Sequence, residues 1–344
     1  MTEQRALVLC PGRGTYNQAE WGYLAKHHAG QAALFADFDA YRAQRGQPTL
    51  RALDRDIPYQ LALHSRGDHA SPLIYACAYA DALGIDPQRF EIVAVTGNSM
   101  GWYIALAVAR ALAPLDALHL IDTMGSLMQN SLIGGQLLYP WVGEDWRGAP
   151  AAREQLLATA AGITDGRVFL SIDLGGMLVF GGDAAGLDAL AAKLPKKDRF
   201  PMRLLNHAAF HTPLQQPVRE QARRLLDAQP FRPPQVPLVD GRGKVWTPHA
   251  TDPQALWDYT LGDQLTAPYD FTRALTVGLK EFAPDRVIVL GPGSTLGGAV
   301  AQTLIQLDWR GLKDKAAFQA LQAHDPFVLS MGLDAQRALA AAPV

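Results

Sequence analysis

The chain has 344 residues, 49% apolar and 19% charged, with 31 basic against 33 acidic side chains and a formal net charge of −2. This length can bury a substantial core in one large domain or two unequal ones, and the near-neutral charge gives no global basis for binding nucleic acid or a membrane surface. The two cysteines, Cys10 and Cys77, form no metal or disulfide spacing, no apolar stretch reaches the ~18 residues of a membrane span, and the first five residues carry no secretory signal, so a cytoplasmic globular protein is expected.

Residues 6–10 (Ala-Leu-Val-Leu-Cys) read as a buried first strand, stopped by Pro11-Gly12-Arg13-Gly14, where glycine permits unusual backbone angles. Ser71-Pro72 predicts a helix start, with Leu73, Ile74, Cys77 and Leu83 turned inward. Residues 91–96 are apolar and β-branched, as a buried strand should be, and 102–113 are rich in Ala and Leu, as a helix should be. Between them stands Gly97-Asn98-Ser99-Met100-Gly101. A serine between two glycines on a strand-to-helix elbow is exposed and close to backbone N–H groups, which suits attack on a carbonyl. Pro114 opens another helix with Leu118, Ile121, Met124 and Met128 on one face.

Composition changes near Gly134. Residues 168–174, Gly175-Gly176 and 177–180 read as a hairpin, 183–194 as a helix and 201–205 as a strand, an α+β insert rather than a βαβ repeat. The wound pattern returns with a strand at 286–290, a Gly291-Pro292-Gly293 turn and a helix capped by Ser294. The Ala-rich 335–344 stretch is expected to fray. Serine needs a base within hydrogen-bond reach. Among nine histidines, His207 and His211 stand out, because Asn206-His-Ala-Ala-Phe-His211-Thr-Pro follows a predicted strand and precedes a proline-started helix.

Gly97-Asn-Ser-Met-Gly-Trp-Tyr103 resembles the Gly-His-Ser-Leu-Gly-Glu-Tyr segment of the malonyl-CoA:acyl-carrier-protein transacylase family, which includes polyketide synthase acyltransferase domains. Pro11-Gly-Arg-Gly-Thr resembles its N-terminal Pro-Gly-Gln-Gly-Ser loop, Ala209-Phe-His211 the end of its His-Ala-Phe-His motif, and Leu290-Gly-Pro-Gly293 its late Gly-Pro-Gly turn. The four blocks agree in order and spacing over nearly the whole chain.

The resemblance implies an α/β-hydrolase-like core (1–130 and 202–344) carrying a ferredoxin-like insert (131–201). It implies that Ser99 is acylated by a thioester with His211 as base and then acid. It further implies that the Ala267 carbonyl orients His211 and that the backbone N–H groups of Met100 and Arg13 form an oxyanion hole, each donor contributing about 3 kcal/mol. It implies no permanently bound cofactor, an acyl-CoA or phosphopantetheinyl thioester as substrate, and an acyl carrier protein as partner. Lys193, Lys196, Lys197 and Arg199, or Arg219, Arg223 and Arg224, are the basic clusters to steer that acidic partner.

The departures carry the substrate information. The family's malonate-binding arginine falls on Met124 in Met124-Gly-Ser-Leu-Met-Gln129, where a carboxylate would lose its bidentate partner. Asn98 replaces the family's histidine and Trp102 its acidic residue; Asn98, Met124 and Phe210 are expected in the acyl pocket, and Trp102 either joins them or only packs. Arg13 is the remaining cation on which a malonyl substrate would depend. The expected function is therefore acyl transfer to a carrier-protein thiol, with a non-carboxylated acyl group. A proofreading acyl-thioester hydrolase is the alternative. A serine esterase using Asp240 and His249, or a catalytically silent interaction module, rank below it.

Overall fold

The computed structural model describes residues 3–342 and contains two sheets. Strands are numbered along the chain. The larger sheet holds β1 (Gln4–Cys10), β2 (Phe90–Gly97), β7 (Leu238–Val239), β8 (Val245–Trp246), β10 (Arg286–Val289) and β11 (Val328–Ser330). Their order is β11-β10-β1-β2-β7-β8, parallel except for the β7–β8 pair. β1 and β2 lie at the centre, and their near-continuous apolar runs are buried, as a parallel sheet covered on both faces requires.

The smaller sheet holds β3 (Gly135–Pro140), β4 (Val168–Leu174), β5 (Met177–Gly182) and β6 (Met202–Arg203), with β9 (Tyr269–Asp270) added at one edge. With the helices Pro150–Ala161 and Ala184–Lys193 in their places in the chain, β3 to β6 follow the βαββαβ order of a ferredoxin-like unit, with sheet order β6-β3-β5-β4. Pro150–Ala161 is absent from the sequence reading; its signals are the proline at its first turn and its alanines. The sheet also overruns the expected 131–201 boundary, because Met202–Arg203 pairs with β3 and Tyr269–Asp270 with β4.

Several sequence expectations shift at the helix ends. The helix after the elbow is Gly101–Val108, shorter than 102–113, because Arg110 takes a left-handed φ of 58° and Ala111 N–H turns back to the Leu106 carbonyl. The next-but-one upstream expectation changes more. Gly67–Leu83 begins one turn before Ser71-Pro72, so Pro72 lies inside the helix, where it forfeits the bond to the carbonyl four residues back. Leu73, Ile74 and Cys77 are buried, whereas Leu83 at the helix end is 54% exposed. Ser294 is not a cap; the late helix Leu296–Gln306 starts after Thr295 with no side-chain cap. The tail expected to fray forms Asp334–Ala340, and 343–344 lie outside the described residues.

The helix Pro114–Asn130 crosses Gly67–Leu83 at a pair of glycines. A Cβ on Gly125 would lie 2.3 Å from the Gly67 carbonyl oxygen, and one on Gly67 would lie 2.6 Å from the Gly125 oxygen. Only glycine on both sides allows this approach. The crossing holds Met124 and Met128 against the cavity described below.

Candidate active site

The site lies beyond the carboxyl ends of β1 and β2, the usual ligand position of an open α/β sheet. Ser99 sits on the elbow with a φ of 56°. The glycines make the elbow possible: a Cβ on Gly97 would lie 2.4 Å from the Gly101 backbone, and one on Gly101 would lie 2.3 Å from the Cys10 carbonyl. The sharp turn leaves Ser99 half-buried and its Oγ 2.7 Å from His211 Nε2.

His211 also has a left-handed φ, 60°. Its Nδ1–H donates to a main-chain carbonyl at 2.6 Å, but that carbonyl belongs to Gln264, not to the expected Ala267. The cause is local. In the short helix Asp263–Thr266, Ala267 N–H bonds the Asp263 carbonyl. The next bond would run from residue 268 to Gln264, and residue 268 is Pro268, which has no N–H. The Gln264 carbonyl is therefore left for His211, and the Leu265 carbonyl accepts His211 N–H at 2.8 Å. Gln264 was missed at the sequence level, although the proline four residues on was the available signal.

Gln264 also reaches the other half of the pair. Its Nε2 donates to the Ser99 carbonyl at 3.1 Å, and its Oε1 accepts from Tyr103 Oη at 2.8 Å. With Nδ1 protonated, Nε2 is the lone-pair nitrogen that can take the serine proton. Burial pulls His211 from the ordinary 6.5 down to about 4, partly opposed by the Gln264 carbonyl, so the imidazole is neutral near pH 7.

The N–H groups of Met100 and Arg13 donate to no protein acceptor among the described residues, and both residues line the cavity beside Ser99. The cavity, of about 510 Å³, opens between the two sheets. Asn98, Met124 and Phe210 line it as expected. Trp102 does not: it is fully buried, donates from Nε1 to Thr260 Oγ1 at 3.0 Å and meets Tyr259 edge-on. The acidic position became a packing position, because an indole can be buried with one partner for its single donor. Five of the seven methionines in the chain (Met100, Met124, Met128, Met177 and Met202) face the cavity, a soft and adaptable wall.

Of the two arginines that line the cavity, one is the exposed Arg199 and the more buried is Arg13. Its guanidinium donates to the Asn206 carbonyl at 2.5 Å, to the Ser65 carbonyl at 3.4 Å and to the Met128 sulfur, while its Nε is sealed without an acceptor. Burial lowers it to about 10, leaving it charged near pH 7. Asp240 and His249 form no triad. Asp240 is tied to Arg242 and to Trp246 Nε1, and His249 lies on an exposed loop. Of the basic residues, Arg199 lines the cavity, whereas Arg223 is paired with Asp258. Among the described residues no cluster of three metal-ligating side chains occurs, and no helix is long and apolar enough to cross a membrane.

A serine on a strand–helix elbow, bonded to a neutral histidine held by a carbonyl and set beside free N–H groups, defines the class of α/β proteins with a main-chain-oriented Ser-His dyad. The chain's homologues and structural neighbours are malonyl-CoA:acyl-carrier-protein transacylases and polyketide synthase acyltransferase domains. It is 26% identical over 317 residues to the phenolphthiocerol synthesis polyketide synthase type I Pks15/1 of Mycobacterium marinum, matching 87% of this chain but only 14% of that protein's length. It is 27% identical over 217 residues to the malonyl CoA-acyl carrier protein transacylase of Bacillus subtilis, covering 59% of this chain and 62% of the relative. The crystal structure of malonyl-CoA:acyl carrier protein transacylase from Xanthomonas oryzae superposes with a TM-score of 0.74 at 22% identity, covering 99% of this chain and all of that one, and so shares the fold. No family model matches the chain.

Proposed function

We propose that the protein is a cytoplasmic acyltransferase that moves an acyl group from a CoA or phosphopantetheinyl thioester to the thiol of an acyl carrier protein through an ester on Ser99. The observation that carries this reading is the 2.7 Å contact between Ser99 Oγ and the unprotonated Nε2 of His211. Ser99 Oγ adds to the thioester carbonyl while its proton passes to Nε2. The oxyanion forms beside the Met100 and Arg13 N–H groups, which need no rearrangement to receive it. The C–S bond then breaks, and Nε2 returns the proton to the leaving thiolate. Attack by the carrier thiol reverses these steps and frees Ser99. The names of the relatives, which include a malonyl CoA-acyl carrier protein transacylase, support a thiol rather than water as acceptor.

The acyl group is read as uncharged. Met124 faces the cavity where a carboxylate-binding arginine would be required, and four other methionines line it. Three of Arg13's five N–H donors go to two carbonyls and a sulfur and its Nε is sealed, so it offers no bidentate fork to a carboxylate. A buried carboxylate without a dedicated partner costs several kcal/mol.

The test is intact-mass spectrometry of the protein with malonyl-, acetyl- and longer acyl-CoA, with and without a holo carrier protein. The expected result is an adduct on Ser99 from the uncharged donors that clears onto the carrier. Preferred malonylation overturns the substrate reading. Clearance to free acid in the presence of carrier makes the protein a hydrolase. No adduct with any donor, in wild type and Ser99→Ala alike, removes the catalytic reading.

A further inference from the structure

His207 has no part in the chemistry above, yet it lines the same cavity and carries a defined lone pair. Its protonation follows from a chain of hydrogen bonds. Ser171 Oγ–H donates to the Phe210 carbonyl at 2.8 Å, since a carbonyl can only accept. The Ser171 oxygen is therefore the acceptor for Gln136 Nε2 at 2.8 Å. That fixes the amide, so Gln136 Oε1 is the atom 2.9 Å from His207 Nδ1, and Nδ1 must carry the proton. Nε2 is left as a bare acceptor, with no hydrogen bond among the described residues. Burial, reinforced by the nearby Arg13 charge, holds the ring well below the ordinary imidazole range and so neutral.

One wall of the cavity thus presents a bare acceptor, His207 Nε2, near a buried cation, Arg13, three of whose five donors are engaged by the protein. A carboxylate would face Arg13 favourably but would meet the imidazole lone pair with its own. An alkyl chain would satisfy neither group. A hydroxyl satisfies both: its proton goes to Nε2, and its oxygen accepts from the guanidinium.

We propose that His207 and Arg13 form a specificity subsite for a hydroxyl on the acyl chain, so that the protein selects hydroxyacyl thioesters over alkyl and carboxyacyl ones. This rests on the acyl-transfer reading and names its substrate class. His207 acts on discrimination rather than on the reacting atoms. A polar site that matches a substrate hydroxyl rejects the analogue lacking it, because the site's own groups are then left dry and unpaired.

The experiment is the rate of Ser99 acylation by 3- and 4-hydroxybutyryl-CoA, butyryl-CoA and malonyl-CoA, read by rapid-quench intact mass. The better hydroxyacyl donor should exceed butyryl-CoA in kcat/KM by about tenfold, the size of one well-placed hydrogen bond. In His207→Phe, which keeps the ring but not the acceptor, that ratio should fall to parity. His207→Asn, which restores a polar atom, should recover part of it. Parity in the wild type, an unchanged ratio in His207→Phe, or malonyl-CoA as the fastest donor overturns this inference while leaving acyl transfer intact. Absence of any Ser99 adduct removes both readings together. The wild-type comparison needs no variant to fold.

Discussion

Gln264 holds both halves of the dyad at once: its carbonyl accepts from His211 Nδ1 at 2.6 Å, and its side-chain amide donates to the Ser99 carbonyl at 3.1 Å. That carbonyl is available because Pro268, one helical step on, supplies no N–H to compete for it. Pro268→Ala restores a competitor at an exposed position where packing is little disturbed. The expected outcome is a slower acylation step, by about tenfold for the loss of one orienting hydrogen bond, with an unchanged melting temperature. Pre-steady-state acylation alongside calorimetry checks it. An unchanged rate would mean that His211 does not depend on the Gln264 carbonyl.

Much of this arrangement was legible in the chain. The pattern of two glycines around Ser99 encodes a backbone close-approach, and such constraints survive in sequence because only one residue type meets them. The hairpin at 168–182 was equally plain, since alternating apolar runs and Gly175-Gly176 speak locally. Gln264 was not legible, because its role comes from a carbonyl, which every residue has. The only trace of it was Pro268, and the flanking Ala267 drew the assignment three residues too far. Trp102 left two readings open, pocket or packing, and the structure gives packing, because the helix turns that face towards Tyr259 and Thr260. The subsite at His207 depends on Gln136 and Ser171, 71 and 36 residues away in the chain, and no local pattern joins them.

Protons should move the stability in a defined direction. Native His211 titrates at about 4 and an unfolded histidine near 6.5. Between those values the unfolded chain binds a proton that the native state refuses, so stability falls as pH drops through this window and levels off below it. For a shift of this size the contribution is about 3 kcal/mol. His207 is displaced in the same direction and adds to the slope. Urea unfolding at pH 7, 6, 5 and 4 should show the decline, and His211→Gln should flatten part of it. The same value predicts that kcat/KM stays level from pH 8 to near 5. An acid limb centred on 6.5 would mean that the ring is not buried as described.

The glycine crossing is a test of packing rather than of chemistry. Gly125→Ala places a methyl 2.3 Å from the Gly67 oxygen, and that atom belongs to another helix backbone. Neither helix can relieve the contact by a rotamer change, so the helices must separate. Overpacking of this kind costs about 1–3 kcal/mol, read as a lower denaturation midpoint with an unchanged m-value. Because Met124 and Met128 flank Gly125, the strain should also alter the cavity. Acylation by longer acyl-CoA donors should change more than acylation by acetyl-CoA.

Met124→Arg asks whether charge at one position decides the acyl group. The new side chain would enter the cavity one helical turn from Met128, whose sulfur already takes a hydrogen bond from Arg13. Two guanidinium groups would then share one dry wall, and the variant should be less stable than wild type in the absence of ligand. A carboxylate relieves that repulsion and gains a bidentate partner. The ratio of malonyl- to acetyl-CoA acylation rates should therefore rise by about a hundredfold, equivalent to about 3 kcal/mol. Malonyl-CoA should also raise the variant's melting temperature more than the wild type's, because a ligand that binds only the folded state stabilises it. If the stability falls but the ratio does not move, the arginine is not reaching the acyl group. Discrimination would then reside in the wall built from Arg13 and His207.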